Sequence, residues 1–403
     1  MAREFNTMDY RFARRMGQVR PSTIRQILKA TEQPEMISFA GGLPAPECFP
    51  VAEIAQSAQR VLAEAGAAAL QYAVTEGYGP LREKLVAEMA MRGVSCATEN
   101  LLVTTGSQQA LDLIGKVFLD PGDCVLTEAP TYLAAIQAFQ AYEARFATAP
   151  TDELGLDADR LEEVLRRERP KLLYTIPNFQ NPTGVTQSAE RRRRIYELAA
   201  RYGVLIVEDD PYGKLRYAGV DLPPIKSYDR EGIVLYVSTV SKTVTPGLRT
   251  GWIVAAESAL QKLVVAKQSA DLHTSNLDQR IVDRYLADFD NAAHVQRIRD
   301  AYGARYTRMN ECLTKFMPEG FRWTHPEGGM FLWVTCPEGV DTQEMMQAAV
   351  ERKVLFVPGR DFFPDGSGHR HLRLNFSNAS EVAIHTGIAR LAEVAALYAG
   401  VKV

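Results

Sequence analysis

Between about residues 100 and 255 the chain alternates short apolar runs with stretches whose apolar residues recur at helical spacing. The runs Leu101–Val103, Cys124–Leu126, Lys171–Ile176, Val204–Val207, Ile233–Val237 and Gly251–Val254 have the length of strands. Between them, Gly106 to Phe118 carries Ala110, Leu113, Ile114, Val117 and Phe118 on one helical face. Ser188 to Tyr202 opens on a capping serine and turns Ile195, Leu198 and Ala199 inward. This alternation predicts an α/β fold with a mainly parallel sheet, because parallel neighbours need a crossover connection. After about residue 300 the pattern changes. A long helical stretch, Asp300–Phe316, precedes the strand-like Gly328–Val334 and His371–Phe376. A second, smaller α+β domain is expected there. The first 50 residues show no strand sequence of their own and are expected to pack against it. The resulting division is 1–50, 51–295 and 296–403.

Composition narrows the function classes. The 403 residues are 46% hydrophobic and 24% charged, with a net charge of -3. That balance gives no bulk electrostatic reason to bind nucleic acid or an anionic membrane. No apolar stretch reaches the roughly eighteen residues of a membrane span, and the N-terminus lacks the apolar core of a signal peptide. A second methionine, Met8, leaves open whether residues 1–7 are native. The five cysteines (Cys48, Cys96, Cys124, Cys312, Cys336) are scattered and never at CxxC spacing. This suits a reducing cytoplasm and argues against a disulfide framework or zinc site. His369 and His371 bracket Arg370 in what reads as a surface loop, so no metal is expected. The run Arg191–Arg194 reads as a solvated helix face.

The chemistry lies where the apolar runs end. Lys171–Ile176 leads into Asn178-Phe179-Gln180-Asn181-Pro182-Thr183-Gly184. Val204–Val207 leads into Glu208-Asp209-Asp210-Pro211-Tyr212, and Ile233–Val237 into Ser238-Thr239-Val240-Ser241-Lys242 with Arg249 beyond. Open α/β sheets bind ligands at the carboxyl ends of their strands. A lysine there, ringed by hydroxyls, is placed to form a Schiff base. With a carboxylate and an asparagine on the neighbouring strands, the three ends describe a site for pyridoxal phosphate (PLP).

In this order and spacing the motifs resemble those of fold-type I PLP-dependent aminotransferases of class I/II, in the 2-aminoadipate and kynurenine branch. The similarity runs from Ile37–Pro44 to Leu372–Ser377. It implies a mainly parallel, seven-stranded sheet in a large domain beside a smaller α+β domain. It also implies roles. Lys242 would bond the cofactor's aldehyde and then act as base. Asp209 would hold the ring nitrogen protonated, with Asp210 as the neighbouring alternative whose replacement is expected to be mild. Asn181 and Tyr212 would bond the 3′-oxygen. Gly106, Ser107 and Gln108 would bind the phosphate at a helix start, joined by Thr239 or Ser241 and by Arg249. Tyr132 would stack on the ring, and Tyr72 would reach a neighbouring subunit's phosphate in a homodimer with shared sites. Arg373 would fork the substrate's α-carboxylate. Gly42 would line the substrate site, and Arg25 would take a distal carboxylate.

The implied reaction is ping-pong transfer of an amino group from an L-amino acid (2-aminoadipate, aromatic, kynurenine or branched-chain) to a 2-oxo acid such as 2-oxoglutarate. A PLP-dependent β-lyase would use nearly the same residues. A PLP-containing transcription regulator is the more remote alternative, since only about 35 residues precede Ile37 here.

Overall fold

The computed structural model describes residues 10–17 and 35–399. Its strands are β1 (Ile37–Ser38), β2 (Leu101–Thr104), β3 (Cys124–Ala129), β4 (Arg145–Asp152), β5 (Gly155–Leu156), β6 (Leu172–Thr175) and β7 (Leu205–Asp209). There follow β8 (Val234–Thr239), β9 (Gly251–Val254), β10 (Arg322–Trp323), β11 (Phe331–Thr335), β12 (Val354–Leu355), β13 (Val357–Pro358) and β14 (His371–Asn375). The large sheet has the order β2-β9-β8-β7-β6-β3-β4-β5. From β8 to β4 every neighbour is parallel, while β9 runs antiparallel to both β8 and β2. Seven of its strands have four or more residues; β5 adds a two-residue edge.

The continuous apolar runs follow from burial on both faces. Alternate residues enter different cores: Leu172, Tyr174, Val207, Leu235 and Val237 join one, Leu173, Ile206 and Val234 the other. The helix Ser107–Phe118 brings Leu113 and Ile114 to the first core, and Ala189–Tyr202 brings Ile195 and Leu198 to the second. Ser188 caps the latter helix, accepting from Arg191 N at 3.2 Å.

The smaller sheet, β10-β11-β14-β13, is antiparallel and packs with the helices Asn291–Phe316 and Glu381–Tyr398. Among the described residues no helix is long and apolar enough to cross a membrane.

Four expectations need correction. The first 50 residues do contain a strand, for β1 pairs in parallel with β12. Two residues are too few for a periodic signal. The long helix begins at Asn291, where Asp290 accepts from Ala293 N at 2.9 Å; its first turns are polar and hid the start. His371 belongs to β14 and stacks on Trp333 at 5.4 Å, with burial pushing its imidazole down to about 4. Arg192 is fully buried and donates to the carbonyls of Gln187, Pro223 and Pro177 and to Asn178 Oδ1. Arg191, Arg193 and Arg194 pair with Asp152, Glu197 and Glu162 on the surface.

Candidate active site

The carboxyl ends of the parallel strands meet at one cavity of about 310 Å³. Lys242 enters it from the turn after β8, Asp209 from the end of β7, Asn181 from the loop after β6 and Tyr132 from the segment after β3. Ser107 and Gln108 line it from the first turn of the helix after β2, and Arg373 reaches it from β14. Gly42, Tyr212, Thr239, Ser241 and Arg249 complete the overlap with the residues expected from sequence.

Asp209 is buried. Its Oδ2 accepts from Tyr174 OH at 2.8 Å, and its Oδ1 has no partner. Burial pushes the carboxyl up to about 7 against the help of Tyr174, and the charge on Asp210 adds to the rise. Asp210 points to the opposite side of the strand, outside the cavity lining. It pairs with Arg92 and accepts from Asn178 Nδ2 at 2.9 Å and Tyr236 OH at 3.0 Å. Burial would raise its carboxyl, but Arg92 and the bond from Asn178 hold it below the usual range.

Lys242 Nζ donates to Gly42 O at 2.9 Å. Burial, then the cations Arg373 and Arg249, lower the amine to about 8. Arg373 is 1% exposed and meets no carboxylate among the described residues. Its Nη1 donates to Asn181 Oδ1 and its Nη2 to Ala40 O, both at 2.7 Å, while Nε has no partner. The guanidinium lies over Phe331 at 4.2 Å and Phe362 at 5.0 Å, and burial lowers it to about 10. A buried cation without a counter-charge is costly, so the arrangement suits an incoming carboxylate. Asn181 Nδ2 reaches Tyr212 OH at 3.3 Å, and the Tyr212 ring stands edge-on to Phe331.

At the opposite end, Gly106 has φ 76° and ψ 168°, a region almost reserved for glycine. A Cβ there would lie 2.4 Å from Arg249 Nη2. Glycine thus lets the arginine close over the free N–H groups of the helix start, which together favour an anion. Thr239 Oγ1 and Ser241 Oγ stand 2.8 Å apart.

Tyr72 does not join this cavity; it is 78% exposed and packs edge-on to His273 at 5.9 Å. Arg25 lies outside the described residues. Sequence reasoning missed Tyr174 and Phe331. The lone tyrosine in apolar β6 was a usable signal for the first, whereas nothing in its sequence marked the second. Among the described residues no cluster of His, Cys, Asp or Glu could hold a metal ion.

The donor set fits PLP on the structure's own terms: an orphaned buried carboxylate oxygen on Asp209, a lysine amine, and a glycine-cradled anion turn. Residues 35–391 match the family model "Aminotransferase class I and II". The aromatic-amino-acid aminotransferase 1 of Thermococcus litoralis is 46% identical over 97% of this chain and 95% of its own. The solved α-aminoadipate aminotransferase of Thermus thermophilus, complexed with N-(5′-phosphopyridoxyl)-L-leucine, superposes with a TM-score of 0.91 at 43% identity, covering 96% of this chain and 98% of that one. The Pyrococcus horikoshii kynurenine aminotransferase gives 0.92 at 44% identity, over 95% and 96%.

Proposed function

This chain belongs to the class I and II aminotransferases, with pyridoxal phosphate as cofactor, and on that premise we propose its donors, its acceptor and the role of each site residue. The donor is an L-amino acid of the 2-aminoadipate, aromatic, kynurenine or branched-chain type. The acceptor is a 2-oxo acid, 2-oxoglutarate foremost, and the two react in succession at one site. When bound, PLP supplies an aldehyde that takes up the amino group and a ring that draws electrons from the bond being broken.

The residues do the rest. Lys242 Nζ would hold the cofactor's aldehyde carbon. An amine lowered to about 8 is then neutral often enough near physiological pH to take the donor's Cα proton. Asp209 Oδ1 would hold a proton on the ring nitrogen. Asn181 and Tyr212 would bond the 3′-oxygen, and Tyr132 would cover the ring. The N–H groups at Ser107 and Gln108, with Thr239, Ser241 and Arg249, hold the phosphate. Arg373 grips the α-carboxylate in a fork and so orients the Cα–H bond, beside Gly42. Tyr72 serves the partner subunit's phosphate.

The observation that carries this reading is the pairing, across one cavity, of a buried carboxylate oxygen lacking a donor with a buried arginine lacking an anion. An acidic donor needs one cation more. The cations lining the cavity among the described residues, Lys242, Arg249 and Arg373, already have roles, and for the distal carboxylate we propose Arg25, as the resemblance to the 2-aminoadipate branch implies.

A half-reaction screen tests the proposal. Purified holoprotein is mixed with single amino acids, without acceptor, and the visible absorbance of the lysine-bound cofactor is followed. Conversion by the donor classes above is expected, and its loss in Lys242→Ala. Release of ammonia and pyruvate from a cysteine conjugate without any acceptor would replace transamination by β-lyase chemistry. Unchanged efficiency on 2-aminoadipate in Arg25→Ala would remove the assignment of Arg25.

A further inference from the structure

Next to the Gly106–Gln108 turn, outside the cavity lining, lies a buried cation that the roles above do not use. Lys267, on the helix Glu257–Gln268, is 0% exposed. Its Nζ donates to Asp271 Oδ1 and Oδ2, each at 2.8 Å, and to Gln109 Oε1 at 2.7 Å. The same Gln109 Oε1 accepts from Thr105 N at 2.8 Å, and Gln109 Nε2 donates to Asp271 Oδ2 at 2.6 Å. Thr105 Oγ1 donates to Asp271 Oδ2 at 3.0 Å, and Thr105 O accepts from Arg249 Nη2 at 3.3 Å. Every polar group of Thr105 is therefore held, and Thr105 is the residue immediately before Gly106.

This is more restraint than the fold requires. Burying an ammonium is costly, and an apolar side chain of similar volume often serves stability as well. What the cation adds is direction. A single ion pair fixes Gln109, and Gln109 with Asp271 fixes the backbone and hydroxyl of Thr105. The strand–turn–helix junction is then set before any anion arrives. Preorganised dipoles bind charge without the cost of reorganising.

We propose that Lys267, acting with Asp271 through Gln109 and Thr105, is a positioning residue for the phosphate of PLP. It touches neither cofactor nor substrate. The inference rests on the phosphate being held at Gly106–Gln108, as proposed above.

The test separates the phosphate from the rest of the cofactor. The full-length chain, freed of cofactor, is titrated with PLP and, separately, with pyridoxal, which lacks the phosphate; the visible absorbance of the lysine-bound aldehyde reports binding. Lys267→Met is expected to weaken PLP binding roughly tenfold or more, the scale on which orienting groups behind a ligand act. Pyridoxal binding should stay within about twofold, and Lys267→Arg should restore part of the loss. Equal weakening of both ligands would make Lys267 merely structural and overturn the proposal, as would no change in either. If Lys267→Met does not fold, Thr105→Val carries the same test, since it keeps the side chain's shape and removes the hydroxyl's links to Asp271 and to Thr274 Oγ1 at 3.2 Å. Ser107→Asp is the control for the premise. If it spares PLP, the phosphate lies elsewhere; if it loses PLP selectively while Lys267→Met and Thr105→Val do not, the positioning role alone falls.

Discussion

A strand turns successive side chains to opposite faces, and at the end of β7 this separates two adjacent carboxylates. Asp209 meets the cavity with one oxygen unpartnered, and Asp210 meets Arg92, Asn178 and Tyr236. Asp209→Asn is expected to lower turnover about a hundredfold or more, the scale of losing one preorganised electrostatic partner, with folding intact. Asp210→Ala is expected to do the reverse. Mildness is expected for the chemistry alone; for stability, removing the carboxylate partner of the largely buried Arg92 is expected to cost about 3 kcal/mol. Urea unfolding and steady-state kinetics on both variants check the ranking.

Burial also makes Asp209 a pH-dependent burden on the cofactor-free chain. Its carboxyl is raised to about 7, above the usual value of about 4. Between those values the folded chain keeps a proton that the unfolded chain has released, so stability falls as pH rises through that window. Without cofactor, the melting temperature of the parent should therefore drop more steeply from about pH 4 to about pH 7 than that of Asp209→Asn. Parallel slopes would mean that Asp209 titrates normally.

At the scale of elements, the helix Ala189–Tyr202 shows how four like residues divide. Its core face points Ile195 and Leu198 at the sheet, and Arg192 shares that side. There it reaches the carbonyls of Pro177, Gln187 and Pro223 and the side chain of Asn178. It thereby braces the start of the loop that carries Asn181. Arg193 is 61% exposed and, among the described residues, pairs only with Glu197. Arg192→Ala should destabilise by about 3 kcal/mol or more, since several bonds to one charged donor are lost at once. Arg193→Ala should stay within about 0.5 kcal/mol. Chemical denaturation of the two variants measures the contrast.

At the scale of the molecule, the exposed Tyr72 stands near other uncovered apolar side chains in sequence, Leu70 and Val74. On the proposed role of Tyr72, this segment is expected to lie at a homodimer interface. Sedimentation should give a dimer. Mixed and re-equilibrated Tyr72→Ala and Lys242→Ala chains should exceed the mean activity of the two parents, because a mixed dimer restores one complete site. A monomer, or simple averaging, would remove Tyr72 from the partner's site.

The residues that end the apolar runs were legible in the chain because periodicity, strand length and the chemistry of Asn181, Asp209 and Lys242 are local properties. They determined the parallel sheet, the site at its carboxyl edge and the identity of the cofactor. Other features depended on contacts between distant segments, which no local pattern encodes. The two-residue β1 exists because Val354 and Leu355 offer it a partner. Phe331 supports Arg373 and Tyr212 only after β11 and β14 pair. Arg192 is buried because loops from three places close over it. The resemblance favoured Asp209 at the ring nitrogen, with Asp210 as the neighbouring alternative. The tertiary structure decided which carboxylate faces the cavity, because the direction of a side chain on a strand is set by what packs against each face.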